Sequence, residues 1–232
     1  MQTAETSPPP PTLPWGQREV AKGVSVVIAG TVALVVLIVS VATTANVSDA
    51  TLGLILAGLV QVMLILVTWC FTVADKRGGW RELGFRKKLR PASWGYVPIG
   101  IAACLVIAII YGIIAEALGV NERLKPSFLE DHARAYFIAG GILAIAVAPI
   151  VEETFFRGFV FAGLSREMKF WAAATLSAIL FTVAHLEPLI FVPIFLIGLL
   201  MAYTYQKTGS LWVNIMIHMG YNAAIFAISL SQ

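Results

Sequence analysis

The sequence predicts an all-α membrane protein, a polytopic bundle of about seven transmembrane helices. Of its 232 residues, 59% are hydrophobic and only 12% are charged, and the mean hydropathy is +0.85. Soluble domains carry about 25% charged residues and are only about half apolar. The apolar residues also form runs long enough to cross a bilayer, because a spanning helix needs about 20 of them.

Seven such runs are candidate spans, and the fourth carries a cluster of two glutamates and an arginine. The runs are 23–44, 52–74, 93–118, 136–164, 170–186, 189–205 and 210–230. The fifth and sixth are short. Pro149 and Pro188 mark the two places where a broken or re-entrant helix is an alternative to a full crossing.

Loop charges predict the orientation of these spans. The loop 75–92 holds seven Lys or Arg residues, so the positive-inside tendency places it in the cytoplasm. Alternation then puts the N-terminus on the same side, with 12 basic residues inside and 3 outside, all 3 in the loop 119–135. Since the net charge of +3 comes from loops that flank spans, it indicates a lipid bilayer as partner and no nucleic acid.

Ionisable side chains in the fourth span are the strongest sign of function. A charge near the bilayer centre costs at least about 2.5 kcal/mol, so it normally faces a protein interior or a wet cavity. Glu153 and Arg157 lie four residues apart and can pair, which leaves Glu152 as a free carboxylate for acid or base chemistry. Pro149 can open the helix and free a carbonyl. The alternative is a charge pair that only holds helices together.

Two later spans carry polar side chains one turn apart. His218 and Asn222 share a face of the last span, and Phe181 and His185 end the fifth. An imidazole and an amide can bind a metal or donate hydrogen bonds to an oxyanion, although alone they more often link helices. Alone, His185 would be an interfacial residue. Because these groups share the C-terminal part of the chain with the paired glutamates, we expect one hydrolytic site that opens to the cytoplasm.

Other intramembrane protease chemistries do not fit the sequence. It contains no His-Glu-x-x-His zinc motif and no Gly-x-Ser-Gly run for a serine nucleophile. Its three aspartates lie in loops or at span ends, so no aspartyl pair is available. Cys70 and Cys104 fall inside apolar runs, where we interpret them as small packing residues.

Taken together, the three motifs resemble those of the CPBP family, the CAAX-protease and bacteriocin-processing intramembrane proteases, also called the Abi family. Its relatives include the eukaryotic Ras-converting CAAX endopeptidase. The family pattern is Glu-Glu-x-x-x-Arg, then Phe-x-x-x-His, then His-x-x-x-Asn or Asp, on successive membrane helices. The matching segments are Glu152-Glu153-x-x-x-Arg157, Phe181-x-x-x-His185 and His218-x-x-x-Asn222, within about residues 136–230.

The resemblance implies an intramembrane endopeptidase that cleaves a peptide or membrane-protein substrate, by CAAX-type or bacteriocin-type processing. It implies that Glu152 activates the attacking water with His185, and that His218 and Asn222 stabilise the oxyanion. The ion pair beside Glu152 would organise the site. The alternatives are a non-proteolytic membrane scaffold or immunity protein with a relic site, and a transporter with a proton relay, which no internal repeat supports.

Members of the family are often labelled metalloproteases, so a zinc ion is an open alternative. Its candidate ligands are Glu152, His185 and His218, with one position left for water. A zinc ion bound by these three side chains would use up the only candidate base, since Glu153 is better placed to pair with Arg157. Asparagine is a poor zinc ligand and a good oxyanion donor, so we favour direct activation of water by Glu152 and His185.

The motifs also divide the chain. We expect a disordered Pro-rich cytoplasmic tail at 1–22, a three-span scaffold at 23–135 and a catalytic transmembrane domain at 136–232. Because no long soluble domain is present, the resemblance fits an integral protein of a prokaryotic plasma membrane, with its N-terminus in the cytoplasm.

Overall fold

A computed structural model describes residues 13–44, 47–74, 78–85, 91–120 and 134–230. These residues form seven helices and no strand, which confirms the all-α prediction. In chain order the helices are α1 Gln17–Thr44, α2 Asp49–Ala74, α3 Pro91–Ala117, α4 Phe137–Leu164, α5 Phe170–Val183, α6 Pro188–Thr208 and α7 Leu211–Ser229. All except α5 are long and apolar enough to cross a membrane. An additional turn at Arg134–Tyr136 extends the start of α4.

The short α5 is the exception to a simple seven-span bundle. It has 14 residues, or about 21 Å at 1.5 Å per residue, whereas the hydrocarbon core is about 30 Å thick. The chain then leaves the helix at Leu186, whose φ of 54° is left-handed, and re-enters through a 3₁₀ turn at Pro188–Ile190. The expected break near 188 therefore lies between α5 and α6, and α6 continues to Thr208 rather than ending at 205.

The expected break at Pro149 is absent, because α4 continues through it as a helix with altered winding. Two stretches, Leu143–Val147 and Glu153–Phe161, are wound as π-helix, on either side of an α-helical segment that contains Pro149. π-Helical turns inside an α-helix are rare and occur frequently at functional sites. In α4 the second stretch begins at Glu153, directly after Glu152, so the altered winding starts between the paired glutamates.

The start of the chain is more ordered than the sequence predicted. The proposed tail 1–22 falls partly outside the described residues, since 1–12 are not among them. However, Trp15 is fully buried, and α1 begins at Gln17, six residues before the predicted start. The predicted span began only after Arg18 and Lys22 because both are charged. In the structure both belong to α1, on its exposed face.

The hydrophobic core has two clusters, a larger one around α4 and a smaller one. α5 packs along α6, α1 along α2 and α3 along α7. The smaller cluster contains Cys104, Ile197, Met201, Val213 and Ile217. Cys104 is therefore a packing residue as expected, whereas Cys70 is exposed on the surface of α2.

Much of the charged sequence that predicted the orientation lies outside the described residues. Residues 75–77, 86–90 and 121–133 lie outside the described ranges. The cytoplasmic position of the loop 75–92 therefore stays a prediction.

Candidate active site

A fully buried carboxylate is at the centre of the site. Glu153 has no exposed surface, and both of its oxygens accept hydrogen bonds. Oε1 accepts from Arg157 Nη1 at 2.9 Å and from His218 Nδ1 at 3.1 Å, and Oε2 accepts from Asn214 Nδ2 at 3.1 Å. The predicted pair of Glu153 and Arg157 is thus confirmed, and it is satisfied from α7 as well as from within α4.

Arg157 is held on three sides. Besides Glu153, its Nη2 donates to the Gly198 carbonyl of α6 at 3.3 Å, and its guanidinium lies 4.3 Å from the centre of the Phe181 ring. A buried ion pair needs such additional contacts, because the desolvation of two charges costs several kcal/mol per ion. Arg157 therefore ties α4, α5 and α6 together beneath the site.

The two histidines of the motifs meet at Phe181. Its ring centre lies 4.8 Å from that of His185 and 6.1 Å from that of His218. His185 Nδ1 donates to the Phe181 carbonyl at 2.8 Å, and His218 Nδ1 donates to Glu153. Both acceptors lack a proton, so the hydrogen lies on Nδ1 and the Nε2 atom of each imidazole is the one left for chemistry.

Glu152 stands in a different environment from its neighbour. It is only partly buried, and its Oε1 accepts one hydrogen bond, from Gln61 Nε2 of α2 at 2.9 Å. The expectation of a wholly free carboxylate was wrong in this respect, because sequence analysis did not place α2 beside α4. No direct hydrogen bond joins Glu152 to His185 within the described part of the chain.

Asn222 is positioned by a backbone carbonyl of α4 that has lost its usual N–H partner at Pro149. Ala148 N–H bonds the Leu143 carbonyl five residues back, so Pro149 would next bond the Ala144 carbonyl, but proline has no N–H. Asn222 Nδ2 donates to that carbonyl at 2.8 Å. The carbonyl that Pro149 was predicted to free thus fixes Asn222 and leaves the second amide hydrogen available.

The site is covered at the end that was expected to open to the cytoplasm. Every residue from 153 to 164 is buried. Trp15 Nε1 donates to the Phe159 carbonyl at 3.1 Å, and a Cβ on Gly158 would lie 2.9 Å from the backbone oxygen of Leu83. The segments that carry Trp15 and Leu83 therefore close this end, and Glu152 lies beyond the cover.

The side chains as placed do not fit a zinc site. Engaged Nδ1 atoms are typical of histidines that bind metal through Nε2. However, a site needs at least three protein ligands, and across the described ranges no three His, Cys, Asp or Glu side chains are grouped to hold an ion. Glu153, the carboxylate that His218 contacts, is already occupied by three donors. We therefore assign no step to a metal.

Two polar residues of the site were missed at sequence level. Asn214 precedes His218 by one turn on α7, a spacing that could have revealed it, and it also donates to the Met201 carbonyl at 2.8 Å. Gln61 is a lone amide inside the apolar second span, and that isolation was its only signal.

Comparisons with known proteins agree with the motifs. Residues 134–224 match a family model described as "Type II CAAX prenyl endopeptidase Rce1-like". Over 89 residues the chain is 28% identical to the Bacillus subtilis (strain 168) protein named "Putative membrane peptidase YdiL", which covers 38% of this chain and 36% of that protein. Over 169 residues it is 25% identical to "UPF0177 protein YbdI" of Lactococcus lactis subsp. lactis (strain IL1403), covering 71% and 91%. No solved structure matches the chain.

The matched region is the part of the chain that contains the site. The chain spans only about a third of the Bacillus relative, but residues 134–224 include all three motifs. Residues 13–120 lie outside this match, and they contribute Trp15 and Leu83 of the cover as well as Gln61. The predicted resemblance to the CPBP family of CAAX-type membrane proteases is therefore confirmed, and it is carried by residues 134–224, which match the Rce1-like family model.

Proposed function

We propose that this protein is an intramembrane endopeptidase in which Glu152 is the general base. The contrast between the two adjacent glutamates supports this role. Glu153 is fully buried and accepts three hydrogen bonds, so it is a positioning group. Glu152 is partly exposed and accepts one, which leaves an oxygen able to take a proton from water.

In the proposed reaction, Glu152 removes one proton from water while the water oxygen attacks the carbonyl carbon of the scissile peptide bond. The carbonyl oxygen becomes an oxyanion. It is stabilised by a hydrogen bond from the second amide hydrogen of Asn222 and by one from His218 Nε2 in the imidazolium form of that side chain, which carries a proton on both ring nitrogens. His185 Nε2 assists the transfer of the proton to the leaving amine. The C–N bond then breaks and yields a carboxylate and an amine.

The surface around the site supports a membrane-associated substrate. An apolar groove between α4 and α7 is lined by residues that include Phe137, Gly141, Ile145 and Phe226. It adjoins the segment of α4 whose Ala144 carbonyl holds Asn222. An apolar segment lying in this groove would bring its peptide bonds towards the proposed oxyanion donors. This arrangement suits CAAX-type or bacteriocin-type processing.

The experiment compares two glutamate variants in proteoliposomes. Purified protein is incubated with a pool of peptides derived from a digested membrane proteome, in water enriched in ¹⁸O. Mass spectrometry then counts new termini that carry the label. We expect Glu152→Gln to lower cleavage by roughly 10²- to 10⁴-fold, the range for loss of a general base. Glu116→Gln is the matched control, since Glu116 is an exposed carboxylate at the end of α3.

Two outcomes would overturn this function. If wild-type protein generates no labelled termini, or if Glu152→Gln cleaves as fast as Glu116→Gln, the protein is not a Glu152-dependent protease. The interpretation as a membrane scaffold or immunity protein with a relic site would then replace it.

A further inference from the structure

A side chain from outside the matched region lies against the proposed base. Gln61 is in α2, 91 residues before Glu152, and only 9% of its surface is exposed. Its Nε2 lies 2.9 Å from Glu152 Oε1. Because an ionised carboxylate has only acceptors, the amide nitrogen must face it. The contact therefore fixes both the carboxylate and the orientation of the amide.

The other half of the same amide is unsatisfied. Gln61 Oε1 is buried and, within the residues that the structure describes, has no hydrogen-bond partner. Buried acceptors are nearly always paired, since an unpaired one loses its solvation without compensation. This oxygen shares a carbon with the nitrogen that binds Glu152, so it lies beside the carboxylate. An acceptor in that position suits a donor that is present during the reaction.

We propose that Gln61 belongs to the catalytic machinery: it positions Glu152 through its N–H and binds the attacking water through Oε1. The inference rests on the proposed function of Glu152 as base. A water between the two side chains has two hydrogens and two acceptors, the free oxygen of Glu152 and Gln61 Oε1. With both hydrogens held, its lone pairs point away from these side chains and towards a substrate carbonyl.

The step balances without a further reactant. Glu152 takes one proton of the water, and the water oxygen forms the bond to the carbonyl carbon. The second O–H keeps donating a hydrogen bond to Gln61 Oε1 until the tetrahedral intermediate collapses. The gain comes from orientation, because holding a reactant in the attacking geometry removes an entropic part of the barrier.

A purely structural role is the alternative, since the same contact links α2 to α4. The two roles differ in what Gln61→Met should do. Methionine has a similar length and no amide, and it fills irregular apolar spaces well. If Gln61 only links helices, the variant loses thermal stability and its kcat is unchanged. If Gln61 acts on the reaction, kcat falls while the unfolding temperature is kept.

The test measures kcat, KM and the unfolding temperature of Gln61→Met in proteoliposomes, using the peptide of the pool that wild-type protein cleaves fastest. We expect kcat to fall roughly 10- to 100-fold with KM unchanged, the pattern for an interaction made only in the transition state. Gln206→Met is the matched control, since Gln206 is exposed on α6, and it should behave as wild type.

The outcomes separate this inference from the proposed function. If Gln61→Met keeps wild-type kcat, or raises only KM, the role of Gln61 is refuted, even where Glu152→Gln is inactive. If Glu152→Gln is fully active, the base itself is wrong. Should Gln61→Met fail to fold, Gln61→Asn decides by the same criteria, because it keeps the amide but is too short to reach Glu152.

Discussion

The N-terminal part of the molecule, residues 13–120, and the C-terminal part, residues 134–230, bury different kinds of side chain. In the most apolar window of each helix, none of α1 and 11% of α3 is buried, compared with 33% in each of α4, α6 and α7. The buried polar residues of the C-terminal part include an ion pair and a histidine, whereas those of the N-terminal part are one amide and three hydroxyls. The first three helices therefore mostly face lipid, and the last four enclose the polar site.

The N-terminal part mostly faces lipid, yet it also supplies residues that surround the site. Trp15 and Leu83 cover the buried end of α4, and Gln61 contacts the proposed base. Tyr205 of α6 in turn donates to the Leu83 carbonyl at 3.0 Å. The family match begins at residue 134, but the environment of α4 is built from both parts. The residues that surround α4 therefore extend beyond the region of sequence similarity.

The largest stability effect should come from the C-terminal part. We expect Arg157→Ala to lower the free energy of unfolding by about 3–5 kcal/mol, because it leaves the Glu153 charge buried and unpaired. Arg18→Ala, on the exposed face of α1, is the matched control. Thermal unfolding in detergent micelles measures both variants.

A double variant sharpens this prediction. Replacing both charges, with Glu153→Met and Arg157→Met together, should recover much of the stability lost in Arg157→Ala, because no uncompensated charge remains. Equal melting of Arg157→Ala and wild type would contradict the view that the ion pair is sealed from solvent.

The next effect tests whether the N-terminal segment supports α4. Trp15→Ala should cost about 3–5 kcal/mol, as for other buried tryptophans, whereas Trp15→Phe should cost only about 0.5–1.5 kcal/mol for the lost hydrogen bond to Phe159. Trp171→Ala is the control, since that side chain is 68% exposed. If Trp15→Ala and Trp171→Ala unfold at the same temperature, the two parts of the chain are independent and the comparison fails.

The smallest effect is expected from single cysteine variants, which test the orientation of the protein in the membrane and should leave its stability unchanged. In a background with Cys70→Ala and Cys104→Ala, single variants Arg81→Cys and Leu118→Cys place thiols at two exposed positions. The distribution of loop charges predicts that a membrane-impermeant maleimide reaches Arg81→Cys only from the cytoplasmic side. It should reach Leu118→Cys only from outside. The opposite pattern would invert the membrane orientation of the site.

Several features of the site followed from local spacing alone. Four-residue separation on a helix predicted the pair of Glu153 and Arg157, and it also placed His185 one turn after Phe181. The proline at 149 predicted a free carbonyl in α4, and that carbonyl is Ala144, which holds Asn222. These predictions succeed because each concerns a single helix. Two side chains lie one turn apart, or a proline removes the donor of a carbonyl in the preceding turns.

Features that depend on contact between distant segments could not be predicted in the same way. Gln61 and Trp15 bind α4 across 91 and 144 residues of sequence, respectively. Hydropathy placed Gln61 in a scaffold span, and the proline-rich composition placed Trp15 in a disordered tail. The hydrogen bond from His218 to Glu153 could likewise not be predicted, because it depends on the packing of α7 against α4.

By itself, the sequence determined the helical membrane class, the positions of the helices within about six residues and the identity of the polar motifs. Each depends on composition or on periodicity along one helix, which the order of residues contains directly. Only the tertiary structure decided which glutamate is satisfied, which keeps a free oxygen, and which end of α4 is covered. Those outcomes depend on which helices pack together, because a buried donor or acceptor takes its partner from whatever neighbour the fold places beside it.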